Sequence, residues 1–115
     1  MKNSVQFRLR IYREDTVAIG PGKVALLEAI AEAGSIAAAA RQIGMSYRRA
    51  WLLVDETNKA LKKPVVGTAA GGTRGGGTVL TPTGQELVER YRALEAAARE
   101  AAAPEIAALT RLLAP

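Results

Sequence analysis

An α+β fold, mainly helical, is what this sequence predicts, and three observations predict it. Residues 35–61 read as helix, glycine turn, helix. Two short β-prone segments, 65–68 and 78–80, follow at once and enclose a glycine-rich stretch. From Pro82 onward, Leu87, Tyr91, Leu94, Ala98 and Ala101 keep a heptad-like spacing. Together these describe a winged helix-turn-helix with an N-terminal strand pair, a Gly-rich β wing and a long C-terminal dimerisation helix. At 115 residues the chain is one domain's worth. It divides into a winged helix-turn-helix unit at 1–82 and one or more C-terminal helices for dimerisation at 83–115.

The elements follow in order. Val5, Phe7, Leu9 and Ile11 alternate with Gln6, Arg8, Arg10 and Tyr12, the period of two of a half-buried strand. Glu14-Asp15 reads as a turn and Thr16–Ile19 as a short partner strand. Gly20-Pro21-Gly22 breaks the pattern, and Pro21 suits the first turn of a helix, where a missing N–H costs nothing. That helix shows Val24, Leu26, Leu27, Ile30 and Ala31 on a broad apolar face and ends near Gly34.

Ser35 opens the next helix as an N-cap. Its alanines, Ala40 among them, allow a second helix to cross closely. Gly44 supplies the positive φ that a three- or four-residue turn requires. Ser46 caps the helix after the turn, whose inward stripe is Ala50, Leu53, Val54, Thr57 and Leu61. Tyr47 and Trp51, four apart, share one side of it. Trp51 is expected to brace the core, and Tyr47 to lie within reach of a phosphate. Lys62-Lys63-Pro64 ends the helix.

In a helix-turn-helix the second helix enters the major groove and touches DNA with its N-terminal residues. Here those residues are Tyr47-Arg48-Arg49, and two adjacent arginines have little to do in a core. An ordinary helical hairpin with a solvated charged face is the bland alternative. In residues 69–77 the expected wing tip presents Arg74 between glycines, which let a backbone approach phosphate or a minor groove. A structureless loop competes with that reading. A nucleotide-binding loop does not, because no Lys-Ser/Thr follows and no helix opens at its end.

Thr81-Pro82 then offers a cap and a first-turn proline, with Thr83 and Glu86 as an alternative capping box. Pro104 is expected to break or kink the helix, leaving Ile106, Leu109, Leu112 and Leu113 as a short amphipathic end.

Charge supports a polyanionic partner. The net charge is +5, and twelve basic against six acidic residues lie up to Thr81, with four against five after it. The chain has no Cys and no His. That removes disulfides, thiolate chemistry, the usual zinc ligands and His-based acid–base catalysis. No signal peptide opens the sequence, and no run approaches a membrane span of ~18 apolar residues. A cytoplasmic protein with no cofactor and no membrane partner is expected.

Gly34-Ser-Ile36, Ala39-Ala40, Gly44-Met-Ser-Tyr-Arg-Arg-Ala-Trp51, Asn58, Gly71-Gly72, Gly75-Gly-Gly77 and Leu80-Thr-Pro-Thr-Gly84 resemble the N-terminal domain of ModE-type, molybdate-responsive transcriptional regulators. That domain is a LysR-like winged helix, and the resemblance covers roughly Phe7 to Ala103. It implies a dimer held by the first helix and the long helix after the wing. It also implies DNA contacts through Ser46, Tyr47, Arg48, Arg49 and the wing. Full-length members carry a C-terminal molybdate-binding region of small β-barrels, and the tail here has no strand pattern. The molybdate sensor is therefore expected to be absent from this sequence, and a link to molybdenum rests on the resemblance alone.

The expected function is a sequence-specific transcriptional regulator that binds double-stranded DNA through Ser35, Ser46, Tyr47, Arg48, Arg49 and Arg74. It is expected to form a homodimer through Leu87, Tyr91, Leu94 and Ala98. The alternative is a winged-helix protein-interaction module that does not itself read DNA; arginines engaged in internal ion pairs would favour it. An enzyme has little to build on, since Glu28 and Glu32 are an i, i+4 pair on a helix face. No effector is assigned by the residues.

Overall fold

Each helix begins at a residue that satisfies an orphan N–H or cannot offer one. In the computed structural model, which describes residues 2–68 and 77–115, the order is β1 (Ile11–Arg13), β2 (Thr16–Ile19), α1 (Pro21–Ala33), α2 (Ile36–Gln42), α3 (Tyr47–Ala60), β3 (Val66–Thr68), β4 (Thr78–Leu80) and α4 (Pro82–Thr110). Ser35 Oγ accepts from Ala38 N–H at 3.0 Å, Ser46 Oγ from Arg49 N–H at 3.1 Å, and Thr81 Oγ1 from Gly84 N–H at 3.0 Å. The proline-bearing starts of α1 and α4 use the position where no N–H is missed. Gly44, with φ near +70°, turns the chain between α2 and α3.

The core is small and alanine-rich. Leu26, Ala29 and Ile30 of α1 meet Ala39 and Ala40 of α2 and Ala50 and Val54 of α3. Alanine at the crossing lets three helices approach closely, and β4 adds Leu80 at the edge. Thr57, buried on the same stripe, donates to Leu53 O at 2.7 Å.

β3 and β4 form an antiparallel pair with Val66 opposite Leu80 and Thr68 opposite Thr78. The hairpin is fastened at both ends. Thr78 N–H donates to Gly34 O at 2.9 Å, and Val65 N–H donates to Asn58 Oδ1 at 2.8 Å. Thr81 closes the other side, its N–H on Val65 O at 3.0 Å and its hydroxyl on Pro64 O at 2.6 Å. A Cβ at Gly84 would stand 2.1 Å from Val65 O, so only glycine lets α4 pass this close to the hairpin. The arrangement is compatible with a winged helix. The expected wing tip, with Gly71, Gly72, Arg74, Gly75 and Gly76, lies outside the described residues.

Several expectations need correction. The N-terminal strand pair is present and antiparallel, but its first strand is only Ile11–Arg13: β2 has four residues, and its register with β1 shifts between Ile11 and Tyr12. Among the described residues, 5–10 have no partner strand, and they lie beside α4. There Tyr91 donates its hydroxyl to Leu9 O at 2.8 Å, and Arg99 stacks 5.1 Å over the Phe7 ring. Trp51 does not brace the core; it is 47% exposed, because Ala50, Val54 and Thr57 already occupy the inward stripe. Ala31 likewise turns out to solvent. Pro104 does not end α4, which runs unbroken for 29 residues. The carbonyl deprived of a donor belongs to Glu100, on an exposed part of the helix.

Candidate nucleic-acid interface

The cap that starts α3 also sets what α3 presents. Ser46 fixes the first turn, so Tyr47, Arg48 and Arg49 leave the helix at its N-terminal end, all exposed. Neither α2 nor α3 carries an acidic residue in its first turn. The positive end of the α3 dipole therefore meets no carboxylate of its own first turn, a setting that favours an anion. Among the described residues, Arg48 and Arg49 make no salt bridge, whereas Lys59 on the last turn of α3 pairs with Asp55 at 2.9 Å.

Five of the six residues expected to touch DNA are described by the structure. Ser46, Tyr47, Arg48 and Arg49 are contiguous on the surface. Ser35 is half-buried and already engaged as a cap, so its first task is structural. Arg74 lies outside the described residues. Trp51 and Leu52, each 47% exposed, join Tyr47 and Arg48 around a shallow hollow of about 370 Å³. The sequence marked Trp51 as apolar and so as core. The signal that it is not lay in the stripe itself, since position 51 falls one residue off the 50-54-57 line.

Lys23 is the residue that sequence reasoning passed over. It is buried on α1, donates to Val17 O, and holds Glu56 Oε1 of α3 at 2.6 Å. The signal for it was its place on the apolar stripe, four before Leu27 and seven before Ile30. The pair locks α3 against α1 beside the exposed arginines.

α4 tells a different story. Of the expected dimer residues, Tyr91 is 3% exposed and packed within its own chain, and burial pushes its hydroxyl pKa up. Leu87 and Ala98 are half-buried and Leu94 is 38% exposed. An open apolar groove of about 380 Å³ runs past Leu87 and Leu94 to Ile11, Ile19 and Leu61. Arg92 forks onto the Glu28 carboxylate of α1 and reaches Glu95 at 2.6 Å. Its hydrogen bond holds the Glu28 carboxyl below the usual carboxylate range. No helix among the described residues is long and apolar enough to cross a membrane. No three acidic groups among them converge to hold a metal ion.

Comparison with known proteins adds kinship. No family model matches. The chain is 53% identical over 78 residues to the molybdenum-pterin-binding protein MopB of Rhodobacter capsulatus, covering 68% of this chain and 29% of that protein. It is 41% identical over 88 residues to the molybdenum transport protein ModE of Azotobacter vinelandii, 76% of this chain and 33% of that one. It is 42% identical over 71 residues to the DNA-binding transcriptional dual regulator ModE of Escherichia coli K12, 62% of this chain and 27% of that one. The chain thus spans about a third or less of the length of these three relatives.

Proposed function

We propose that this chain, a homologue of the ModE-type regulators over the segment it shares with them, is a sequence-specific DNA-binding unit of a transcriptional regulator. In this reading α2 and α3 are the helix-turn-helix, α3 enters the major groove, and the β3–β4 hairpin is the base of the wing. The observation that carries it is the exposed Arg48-Arg49 pair on the first turn of α3, without an internal ion pair among the described residues. Guanidinium groups so placed suit guanine edges and phosphates. Arg74, at the expected wing tip, contributes affinity without sequence preference, as phosphate-binding side chains do. Two copies associate through α4 around Leu94 and Ala98. Molybdenum-linked control is carried over from the relatives' names and not from any residue here.

Selection from random duplex DNA tests the reading. The expected product is an inverted repeat, its half-sites about 34–36 Å apart or a multiple of that, as a two-fold dimer demands. Failure to enrich any sequence contradicts it. One observation favours the protein-interaction alternative: Trp51 and Leu52 lie exposed beside the arginines. That alternative predicts no enrichment at all.

A further inference from the structure

The period-two pattern of residues 5–10 survives in the structure without a sheet, and it has a consequence for the basic surface. Odd positions turn toward α4: Phe7 and Leu9 are half-buried, with Arg99 stacked on the one and Tyr91 hydrogen-bonded to the carbonyl of the other. Even positions turn the other way. Arg8 and Arg10 are exposed and border a cleft of about 410 Å³ shared with Met45 and Arg49, the turn and first turn that introduce α3. One carboxylate borders that cleft, Glu56, and Lys23 holds it at 2.6 Å. Among the described residues Arg8, Arg10 and Arg49 enter no salt bridge. The first turn of α1, which also lines the cleft, has no acidic residue, so its dipole adds the same sign.

We infer that Arg8 and Arg10, carried by the anchored N-terminal segment, extend the duplex-binding surface beyond Arg49 as a second phosphate-binding flank. This rests on the DNA-binding reading above. The partner is the DNA backbone, because three cations outside any salt bridge among the described residues, Arg8, Arg10 and Arg49, border one cleft with no exposed aromatic group or donor–acceptor pattern among them, which suits phosphates and not bases. The flank is preorganised. Tyr91 and Arg99 hold the odd-numbered side of the segment, so little further ordering is needed when a phosphate arrives.

The test uses the full chain, the selected duplex and a random duplex, with binding measured from about 50 to about 200 mM salt. Arg8→Ala/Arg10→Ala is expected to lower the log–log salt slope by about 1.8, or 0.9 for each phosphate no longer neutralised. Its deficit against the unchanged chain then shrinks about tenfold across that range. The deficit should be equal on both duplexes. Arg8→Lys/Arg10→Lys should keep the slope. If the alanine variant keeps the full slope while Arg48→Ala/Arg49→Ala loses it, the second flank is wrong and the DNA-binding reading stands. If the lysine variant falls as far as the alanine variant, the residues act on structure and the inference is overturned. If the unchanged chain binds neither duplex, the reading itself fails and the inference with it.

Discussion

Arg48 and Arg49 on α3 and Arg90 and Arg92 on α4 are the same side chain, all of them exposed. Their company differs. Arg90 lies 2.7 Å from Glu86, one turn back, and Arg92 is shared between Glu28 of α1 and Glu95. Arg48 and Arg49 make no salt bridge among the described residues, and α3 opens without an acidic side chain in its first turn. Arg92 braces α4 against α1, and Arg90 is paired within α4. The α3 pair has no internal counter-ion among the described residues. On the proposed reading it is that difference, and not exposure, that sets α3 apart as the DNA-facing helix.

The largest expected effect breaks that contrast from the α3 side. Arg48→Ala/Arg49→Ala should weaken binding to the selected duplex most at low salt, with a deficit that shrinks about tenfold from about 50 to about 200 mM, because two backbone phosphates lose their neutralising cations. Thermal unfolding should hardly change, since neither side chain supports the fold. An unchanged affinity in the double variant would show α3 to be misassigned as the reading helix.

Next in size is the seam between the two regions. Gly84→Ala places a Cβ 2.1 Å from Val65 O, against backbone that cannot swing away. It should destabilise the protein by about 1–3 kcal/mol, seen as a lower melting temperature. A neutral result would mean that α4 does not pass the hairpin this closely. On the exposed side of α4, Leu94→Glu/Ala98→Glu should yield monomers in sedimentation at tens of micromolar (about the range of the assay) and weaker duplex binding. Each half-site then loses its linkage to the other. A dimer that survives both charges has its interface elsewhere.

The smallest effect tests the brace. Glu28 titrates lower in the folded chain than in the unfolded one, through its hydrogen bond to Arg92. Its stabilisation is therefore present above the unfolded carboxylate range and is lost as pH falls through the folded value. The pair is about 40% exposed on both sides, and solvent screening holds its worth to about 0.5 kcal/mol. Glu28→Gln should be slightly less stable than the parent at neutral pH and equal to it in acid. A difference that persists in acid would assign Glu28 a role other than its charge.

Much of this frame is legible in residues. Ser35, Ser46 and Thr81 cap where capping chemistry puts them, and Gly44 turns where a tight turn needs positive φ. Those are local interactions, written within a few positions of one another. What was not legible depends on distant partners. The alternation of Val5 to Ile11 looks like a strand because pattern carries no information about whether a partner strand exists. β2 is too short to supply one, and α4 takes its place through Tyr91 and Arg99. Trp51 looks like core until Ala50, Val54 and Thr57 are seen to fill the stripe. Glu28 and Glu32 look alike on a helix face, yet Glu28 alone meets Arg92, 64 residues further on. In the candidate site, Tyr47, Arg48 and Arg49 followed from position on the helix, but the absence of salt bridges to Arg48 and Arg49 among the described residues did not, since counter-ions come from anywhere in the chain.

A charge-matched salt titration tests the contrast most directly. Arg48→Ala/Arg49→Ala and Arg90→Ala/Arg92→Ala each remove two positive charges, so net charge cannot separate them. With duplex binding followed across salt, well below the melting temperature of every variant, the α4 variant should keep the parent's log–log slope. The α3 variant should lose about 1.8, two counterions' worth. Equal losses in both variants, or none in either, would contradict the assignment of α3 as the DNA-facing element.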